Sequence, residues 1–430
     1  MSSEQKHFLQ QERAPLPPII LSNVPGTWAY DTMSRRVREN ILMRIYDEND
    51  MDSPQLAHAK AALDALVQEL ATPQTSLLTP IPDDGGPDVR EWNESIMAPY
   101  LGAANWLDAP WLYTEFYVYR RVAAAFAFFA TGYDPFDAQK RLGVTSALAS
   151  MDALAARLLQ SDAVRPAAAT CLRTAASLPL TPPPLPRCAC SADADVFAET
   201  LAQSAANLLA DDGARVVAAL LAARAAGGRR VDVVVDNAGF ELFCDLCLAD
   251  YLVACGAART VVIQLKGHPT FVSDAQAKDL TWMVEHLRGL DTGKYPAAQA
   301  VGERWARRIA SGEWELREDL FWAQPRPFWE MPQRLRDELG GGGSAMVFVK
   351  GDANYRRMLG DRTWDLATPF ADVASYWPAP VCALRTLKAE LGCGMSAELT
   401  KAAAAAHDDW MVSGRYGVVQ LFDPDTEGQS

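Results

Sequence analysis

No stretch of this 430-residue chain approaches the ~20 consecutive apolar residues that a membrane-spanning helix needs. The opening residues, MSSEQKHFLQQER, are polar and lack the apolar segment of a secretory signal. No membrane partner is therefore expected, and a cytoplasmic setting, extending to the nucleus, follows. Positive charge is also short, with 40 Lys and Arg against 54 Asp and Glu and a formal net charge of −14. Neutralising a nucleic-acid backbone takes a basic surface, so nucleic acid is set aside as a partner. A small anion stays acceptable where a few cations or a metal gather locally. Histidine is scarce, five in all, and no HExxH sequence occurs, which argues against a zinc hydrolase. Of eight cysteines, Cys244 and Cys247 form a CxxC with no second pair at zinc-finger spacing. They read as small buried hydrophobes of a helix.

What is present is ordinary globular usage, 49% hydrophobic and 22% charged. A chain this long can bury a core without disulfides or a structural metal. The first part reads as helix. From Thr27, residues Met33, Val37, Ile41, Leu42 and Ile45 recur at helical spacing, with Asp31 or Thr32 as cap. Ser53 opens an Ala- and Leu-rich amphipathic helix, Ala109 a strongly apolar one with Pro110 near its first turn, and SALASMDALAARLLQ another. The proline-rich run Leu178–Arg187 interrupts this pattern. It divides the chain into an expected helical region, 1–186, and an expected catalytic domain, 187–430. Phe197 to Gly213 is expected to be helical again.

The character changes at Arg230. VDVVVD, RTVVIQLKG and AMVFVKG are short β-branched or apolar runs, each followed by a helical pattern. The alternation predicts an α/β fold: a three-layer α/β/α arrangement around a mainly parallel sheet, with the helical N-terminal region added. Ligands of such sheets bind beyond the C-terminal strand ends. The tetraglycine Gly340–Gly343, ahead of the third strand, is expected to be a surface turn.

Each of the three strand ends presents oxygen donors. The first ends in Asp236-Asn237, the second leads to Ser273-Asp274, and the third to Lys350-Gly351-Asp352-Ala353-Asn354-Tyr355-Arg356. Two carboxylates and an amide oxygen are hard ligands suited to Mg²⁺ or Mn²⁺. Taken singly, Asp236, Asn237 and Asp274 are equally good helix caps; together they outline a metal site. Lys350, Arg356, Arg385 and Lys388 could clamp a phosphate opposite the metal. Arg385 and Lys388, three apart in LRTLKAE, are expected to share a helix face or end.

The segments DNAGFELFCDLCLADYL, FVSDAQAKD, KGDANYRRMLGD and RTLK, in this order, resemble the damage-control phosphatase family, formerly domain of unknown function eighty-nine. APWLYTEFYVYRR and, more loosely, TWAYDTMSRR are similar to its helical N-terminal motifs. The RTxK signature points to the third subfamily, which includes an acidic-residue methyltransferase and sugar-phosphate phosphatases. The resemblance spans roughly residues 21–401. It implies a divalent cation, Mn²⁺ first and Ni²⁺, Co²⁺ or Mg²⁺ otherwise, held by Asp236, Asn237 and Asp274. It places contacts to a small phosphorylated metabolite on Ser273, on Asp352–Arg356 and on Lys388, with Glu115 and Arg120 added from the helical region. The family often has Pro-Trp before Phe-Val-Ser-Asp; here Pro269-Thr270 precedes Phe271, which predicts a reshaped pocket wall.

The activity expected on this basis is metal-dependent hydrolysis of phosphate monoesters such as fructose 1-phosphate, with Asp352 taking the proton of the attacking water or bonding a sugar hydroxyl. A phosphoaspartate route is disfavoured, because VVVDNAGFE lacks the second Asp of a DxD. The rival class is carboxyl methyl transfer from S-adenosylmethionine to protein glutamates. No GxGxxG loop supports it, and Gly340–Gly343 lies on the wrong side of its strand. A non-catalytic sugar-phosphate binder is a third reading, against which the full ligand set argues. The sequence leaves the oligomeric state open.

Overall fold

In a β-strand successive side chains point to opposite faces, so a strand covered on both sides must be apolar throughout. The computed structural model of the chain, which describes residues 16–161 and 207–427, is built on that rule. In β5 (Ser344–Lys350), Val347 and Val349 enter one core while Met346 and Phe348 enter the other. β2 (Arg229–Val234), β3 (Ala258–Lys266) and β6 (Val381–Thr386) are buried in the same way. With β1 (Leu208–Asp211), β4 (Trp314–Asp319) and β7 (Gly417–Phe422), the seven-stranded sheet runs β1-β7-β6-β5-β2-β3-β4. All neighbours pair in parallel except β6 and β7 (Gly417–Phe422), which are antiparallel. The expected α/β class with a mainly parallel sheet is what the chain adopts.

Helices Phe240–Ala254, Ala277–Arg288 and Pro296–Ser311 cover one face, with Leu148–Ser161 beside them through Met151, Leu154, Ala155 and Leu158. Trp111–Ala125, Ala57–Glu69 and the N-terminal helical segment cover the other, together with Asp352–Leu359. The helical N-terminal part thus contributes to both cores. The proline-rich boundary, Cys188 and Cys190 lie outside the described residues.

Four strands were not anticipated: β1 (Leu208–Asp211), β4 (Trp314–Asp319), β6 and β7. β1 falls within the run expected to be helical up to Gly213. That glycine instead begins the helix Gly213–Ala225. β4 is an edge strand whose WELRED sequence hides apolar alternation among charges, a usual guard against edge pairing. β6 overturns the expectation of a helix at LRTLKAE: Arg385 ends a strand and Lys388 follows in a loop. The first helical segment is capped by Thr27, whose hydroxyl accepts from Tyr30 N, rather than by Asp31 or Thr32. It continues as a π-helix over Thr32–Leu42. Gly340–Gly343 does form the turn before β5, and Cys244 and Cys247 are buried in Phe240–Ala254 as expected.

The chain leaves β2 towards β3 on one side and returns to β5 on the other. The helix after β2 packs in one layer, the helix after β5 in the other. The strand order therefore reverses between β2 and β5, and a crevice opens at their C-terminal ends, the usual ligand position in open α/β sheets.

Candidate active site

The crevice is closed by backbone. Asn237 and Asp274 form an antiparallel bridge, Ala238 N donates to Ser273 O at 2.6 Å, and Ala275 N donates to Asp236 O at 2.7 Å. The loop after β3 is thereby tied to the end of β2, which brings the two carboxylates together. In that loop Phe271 and Val272 have φ of 45° and 66°. A β-branched residue in the left-handed region is strained, and such strain collects where structure over-determines a site. β5 approaches from the other side, so close that a Cβ on Gly351 would lie 1.9 Å from Asp236 Oδ2.

Asp236, Asn237 and Asp274 are all buried. Asp236 Oδ1 and both Asp274 carboxylate oxygens make no hydrogen bond among the described residues. Burial, with Asp274 close by, holds the Asp236 carboxyl well above its usual range; burial likewise raises Asp274, against the pull of Lys266. Lys266 Nζ stands 3.1 Å from Asp274 Oδ2 and donates to Asn354 Oδ1 at 3.3 Å. The Asn237 amide is fixed at both ends. Its Nδ2 donates to Asp236 Oδ2 (3.1 Å) and Glu241 Oε2 (3.0 Å), and its Oδ1 accepts from Ser273 Oγ (2.5 Å). Buried carboxylate oxygens short of hydrogen-bond donors, beside an oriented amide oxygen, suit a hard divalent cation, whose charge would offset the cost of ionising them.

These groups line a cavity of about 450 Å³ together with Glu115, Ser273, Asp352, Arg356 and Lys388, five further residues expected at the site. Arg356 donates to Glu115 at 2.7 Å and to Asp361 at 2.9 Å and lies over the Trp111 ring. Burial raises the Glu115 carboxyl despite Arg356. Lys388 makes no ion pair within 4 Å among the described residues. Burial lowers its ammonium pKa, while Glu241, Asp352 and Asp236 counteract.

Five expected contacts do not reach this cavity. Arg120 is fully buried between Asp84 (2.7 Å) and Asp88 (2.8 Å). Arg385 spends Nε on Asp352 (2.7 Å) and its terminal nitrogens on the carbonyls of Leu391 and Ala389, so it shapes the turn that presents Lys388 instead of meeting substrate. Tyr355 donates inward to Gln420 at 2.7 Å. Asn354 ties strand ends, donating to Lys350 O at 2.9 Å and Val235 O at 3.3 Å. Lys350 faces Asp245 at 3.1 Å and Glu241 at 3.6 Å. Thr270 does not itself line the cavity: it is buried, its hydroxyl donating to His268 O at 3.1 Å, and Phe271 and Val272 next to it form part of the wall. Sequence reasoning missed Trp28, Arg36, Trp111, Tyr119, Glu241 and Gly351, which line the cavity. For Glu241 a signal existed, one helical turn after Asn237.

A second acidic group, Asp134, Asp137 and Asp279, has carboxylate oxygens within 4.8 Å of one another and could by donor type hold a cation. Lys140 already bridges Asp134 and Asp279 at 2.9 and 2.8 Å, and Lys278 reaches all three acids. This cluster joins helix Asp137–Thr145 to helix Ala277–Arg288.

The β3 loop also buries His268, whose Nε2 lies 4.0 Å from Asp88. Burial, reinforced by Arg120, lowers its pKa to about 4. The unfolded chain takes up this proton near pH 6.5, the folded protein only near 4, so acid favours unfolding across that window. We expect stability to fall by about 2 kcal/mol from this group between pH 7 and 5. His268→Gln should flatten that part of the profile in denaturant titrations; an unchanged slope would contradict the assignment.

The chain is similar to known proteins over most of its length. The chain is 29% identical to damage-control phosphatase ARMT1 of Mus musculus over 444 residues, covering 95% of this chain and 99% of that protein. The Danio rerio protein of that name is 29% identical over 457 residues, 96% of this chain and 98% of that one. The alignment with the Xenopus laevis protein reaches 39% over 197 residues, 45% of this chain and 44% of that protein. A solved structure of a DUF89 family protein from Pyrococcus horikoshii aligns with a TM-score of 0.43 at 11% identity, over 85% of this chain and 95% of that one. The family model for the damage-control phosphatase ARMT1-like domain matches residues 32–402. The chain belongs to the damage-control phosphatase ARMT1-like domain family, which makes it a phosphatase by class.

Proposed function

We propose that the protein is a metal-dependent phosphomonoesterase acting on small phosphometabolites, fructose 1-phosphate and related sugar phosphates among them. Asp236, Asn237 and Asp274 would hold the divalent cation, Mn²⁺ first and Ni²⁺, Co²⁺ or Mg²⁺ otherwise. The observation that carries this reading is the pairing, in one cavity, of two buried carboxylates short of hydrogen-bond donors with the ammonium of Lys388, which among the described residues has no ion pair. A cation held there supplies Lewis acidity at a phosphoryl oxygen and makes a water acidic enough to attack.

The chain's own groups do the rest. Lys388 neutralises phosphoryl charge, the main electrostatic demand of phosphoryl transfer. Asp352 Oδ1 is occupied by Arg385 Nε and by Lys388 N at 3.0 Å, leaving Oδ2 for the proton of the attacking water or a sugar hydroxyl. Trp111 and Phe271 add apolar lining beside the place for a sugar, and Ser273 keeps the Asn237 oxygen in place.

Phosphate release from a panel of sugar phosphates, fructose 1-phosphate included, should require one of the four cations and vanish with chelator. Label transfer from S-adenosylmethionine to protein carboxylates is the paired assay; transfer without phosphate release would replace this reading by the methyltransferase one. Lys388→Met should raise KM by about 30-fold and leave thermal stability unchanged, since the residue has no ion pair to lose. An unchanged KM would remove Lys388 from the phosphate site.

A further inference from the structure

Three arginines follow one another closely on the first helical segment, and two of them are paired on the helix surface. Arg35 meets Asp31 at 3.0 Å and Glu39 at 3.4 Å; Arg38 meets Glu39 at 2.7 Å. Arg36 differs. It lines the cavity, and among the described residues it makes no hydrogen bond or ion pair with any acid. Its guanidinium lies 3.9 Å from the centroid of the Trp28 ring, which also lines the cavity. Trp28 is itself anchored, its backbone N–H donating to Glu390 Oε2 at 2.9 Å. A stacked guanidinium is pre-organised: it keeps its planar fork free for an oxyanion while losing little rotamer freedom on binding.

Lys388 and Arg36 both line the cavity and come from different parts of the chain. Lys388 follows β6, its backbone N–H donating to Asp352 Oδ1 at 3.0 Å, whereas Arg36 lies on the first helical segment over Trp28. A phosphate held by Lys388 leaves Arg36 without an anion.

We propose that Arg36, stacked on Trp28, is a specificity residue for a second anionic group on the substrate, so that preferred substrates are phosphate monoesters carrying a carboxylate or second phosphate at their far end. The inference rests on reading the cavity as a phosphate-ester site. A fork-shaped guanidinium matches a carboxylate or phosphate edge with two parallel N–H···O bonds. A neutral hydroxymethyl group in the same place would gain at most one ordinary hydrogen bond, and the discrimination should amount to about tenfold or more.

The test uses a matched open-chain pair, 6-phosphogluconate and sorbitol 6-phosphate, which differ at the far end by a carboxylate against a hydroxymethyl group. The metal-loaded wild type should show about tenfold higher kcat/KM for the sugar acid. Arg36→Met, which keeps an apolar chain over Trp28, should erase that preference by raising KM for the sugar acid, with less than about a threefold change for the polyol phosphate. Arg36→Lys should restore part of it. If both esters are hydrolysed and the preference is absent, or survives in Arg36→Met, the inference is overturned while the phosphatase reading stands. If neither is hydrolysed with any cation, the sugar-phosphate panel decides the phosphatase reading and calorimetric binding decides this one. Weaker binding of the sugar acid alone in Arg36→Met keeps Arg36 as an anion subsite; equal losses for both probes overturn it.

Discussion

Asp274→Ala should lower metal-dependent phosphate release by on the order of a thousandfold and abolish calorimetric Mn²⁺ binding. Both oxygens of this carboxylate lack hydrogen bonds, and its only charged neighbour within ion-pair distance among the described residues is Lys266. Removing it takes one of two anionic donors from a site whose third member, Asn237, is neutral. The alanine variant should also be less stable, because Lys266 stays buried with the Asn354 hydrogen bond and the more distant Asp236 as its remaining partners, and breaking a buried pair costs about 3–5 kcal/mol. Asp274→Asn separates the two effects. It keeps the side-chain shape, leaves Lys266 an amide oxygen to face and relieves the crowding of negative charge around Asp236, so it should lose less stability than the alanine variant while remaining equally inactive. Full turnover in either variant, or undiminished metal affinity, would end the proposal that residues 236, 237 and 274 share an ion.

The same residues show how far a sequence can be read. The strand ends were legible because VDVVVD, RTVVIQLKG and AMVFVKG are buried on both faces and mostly apolar, with Asp232 and Gln264 the polar exceptions inside them, and turn polar where they stop. Asp236, Asn237, Ser273, Asp274 and Asp352 could be placed at one edge from that alone. Strands whose apolar residues are diluted escaped. WELRED is an edge strand dressed in charge, and LLAD, which forms β1, reads as the tail of a helix until β7 supplies its partner. Arg385 was misplaced for the same reason: local spacing suggested a helix, but tertiary pairing of β6 between β5 and β7 decided.

For cations, sequence gives presence and not allegiance. Arg120, Lys350, Arg385 and Lys388 look alike in one dimension. Only the fold shows that the first three are consumed by Asp84 and Asp88, by Asp245, and by Asp352 with two carbonyls. Conversely Arg36 lay hidden in an ordinary amphipathic helix. Its entry into the cavity depends on how that helix docks, and periodicity does not encode docking.

The KGD sequence offers the sharpest case of a residue whose role is its lack of a side chain. Gly351 has φ 87° and ψ 167°, a conformation essentially confined to glycine. Alanine there pays about 1–3 kcal/mol for the backbone alone. Its Cβ would also fall within the Asp236 carboxylate, 1.9 Å from Oδ2 and 2.2 Å from Cγ. The carboxylate cannot retreat easily, because the Asn237–Asp274 bridge and the Ala275 N to Asp236 O bond hold its backbone. The strand end or the carboxylate must therefore move, and overpacking of this kind adds about 1–3 kcal/mol. Gly351→Ala is expected to lose about 3–5 kcal/mol of stability and at least a hundredfold in phosphate release, together with most of the metal affinity. Gly341→Ala supplies the comparison. That glycine has φ 58° with nothing within 4 Å of the added carbon, so its alanine pays only the left-handed backbone cost, about 1–2 kcal/mol, and keeps full activity. Denaturant titration and phosphate release, measured on both variants, separate crowding from backbone strain. If Gly351→Ala matched Gly341→Ala in both, the close approach of β5 to Asp236 would have no part in building the site.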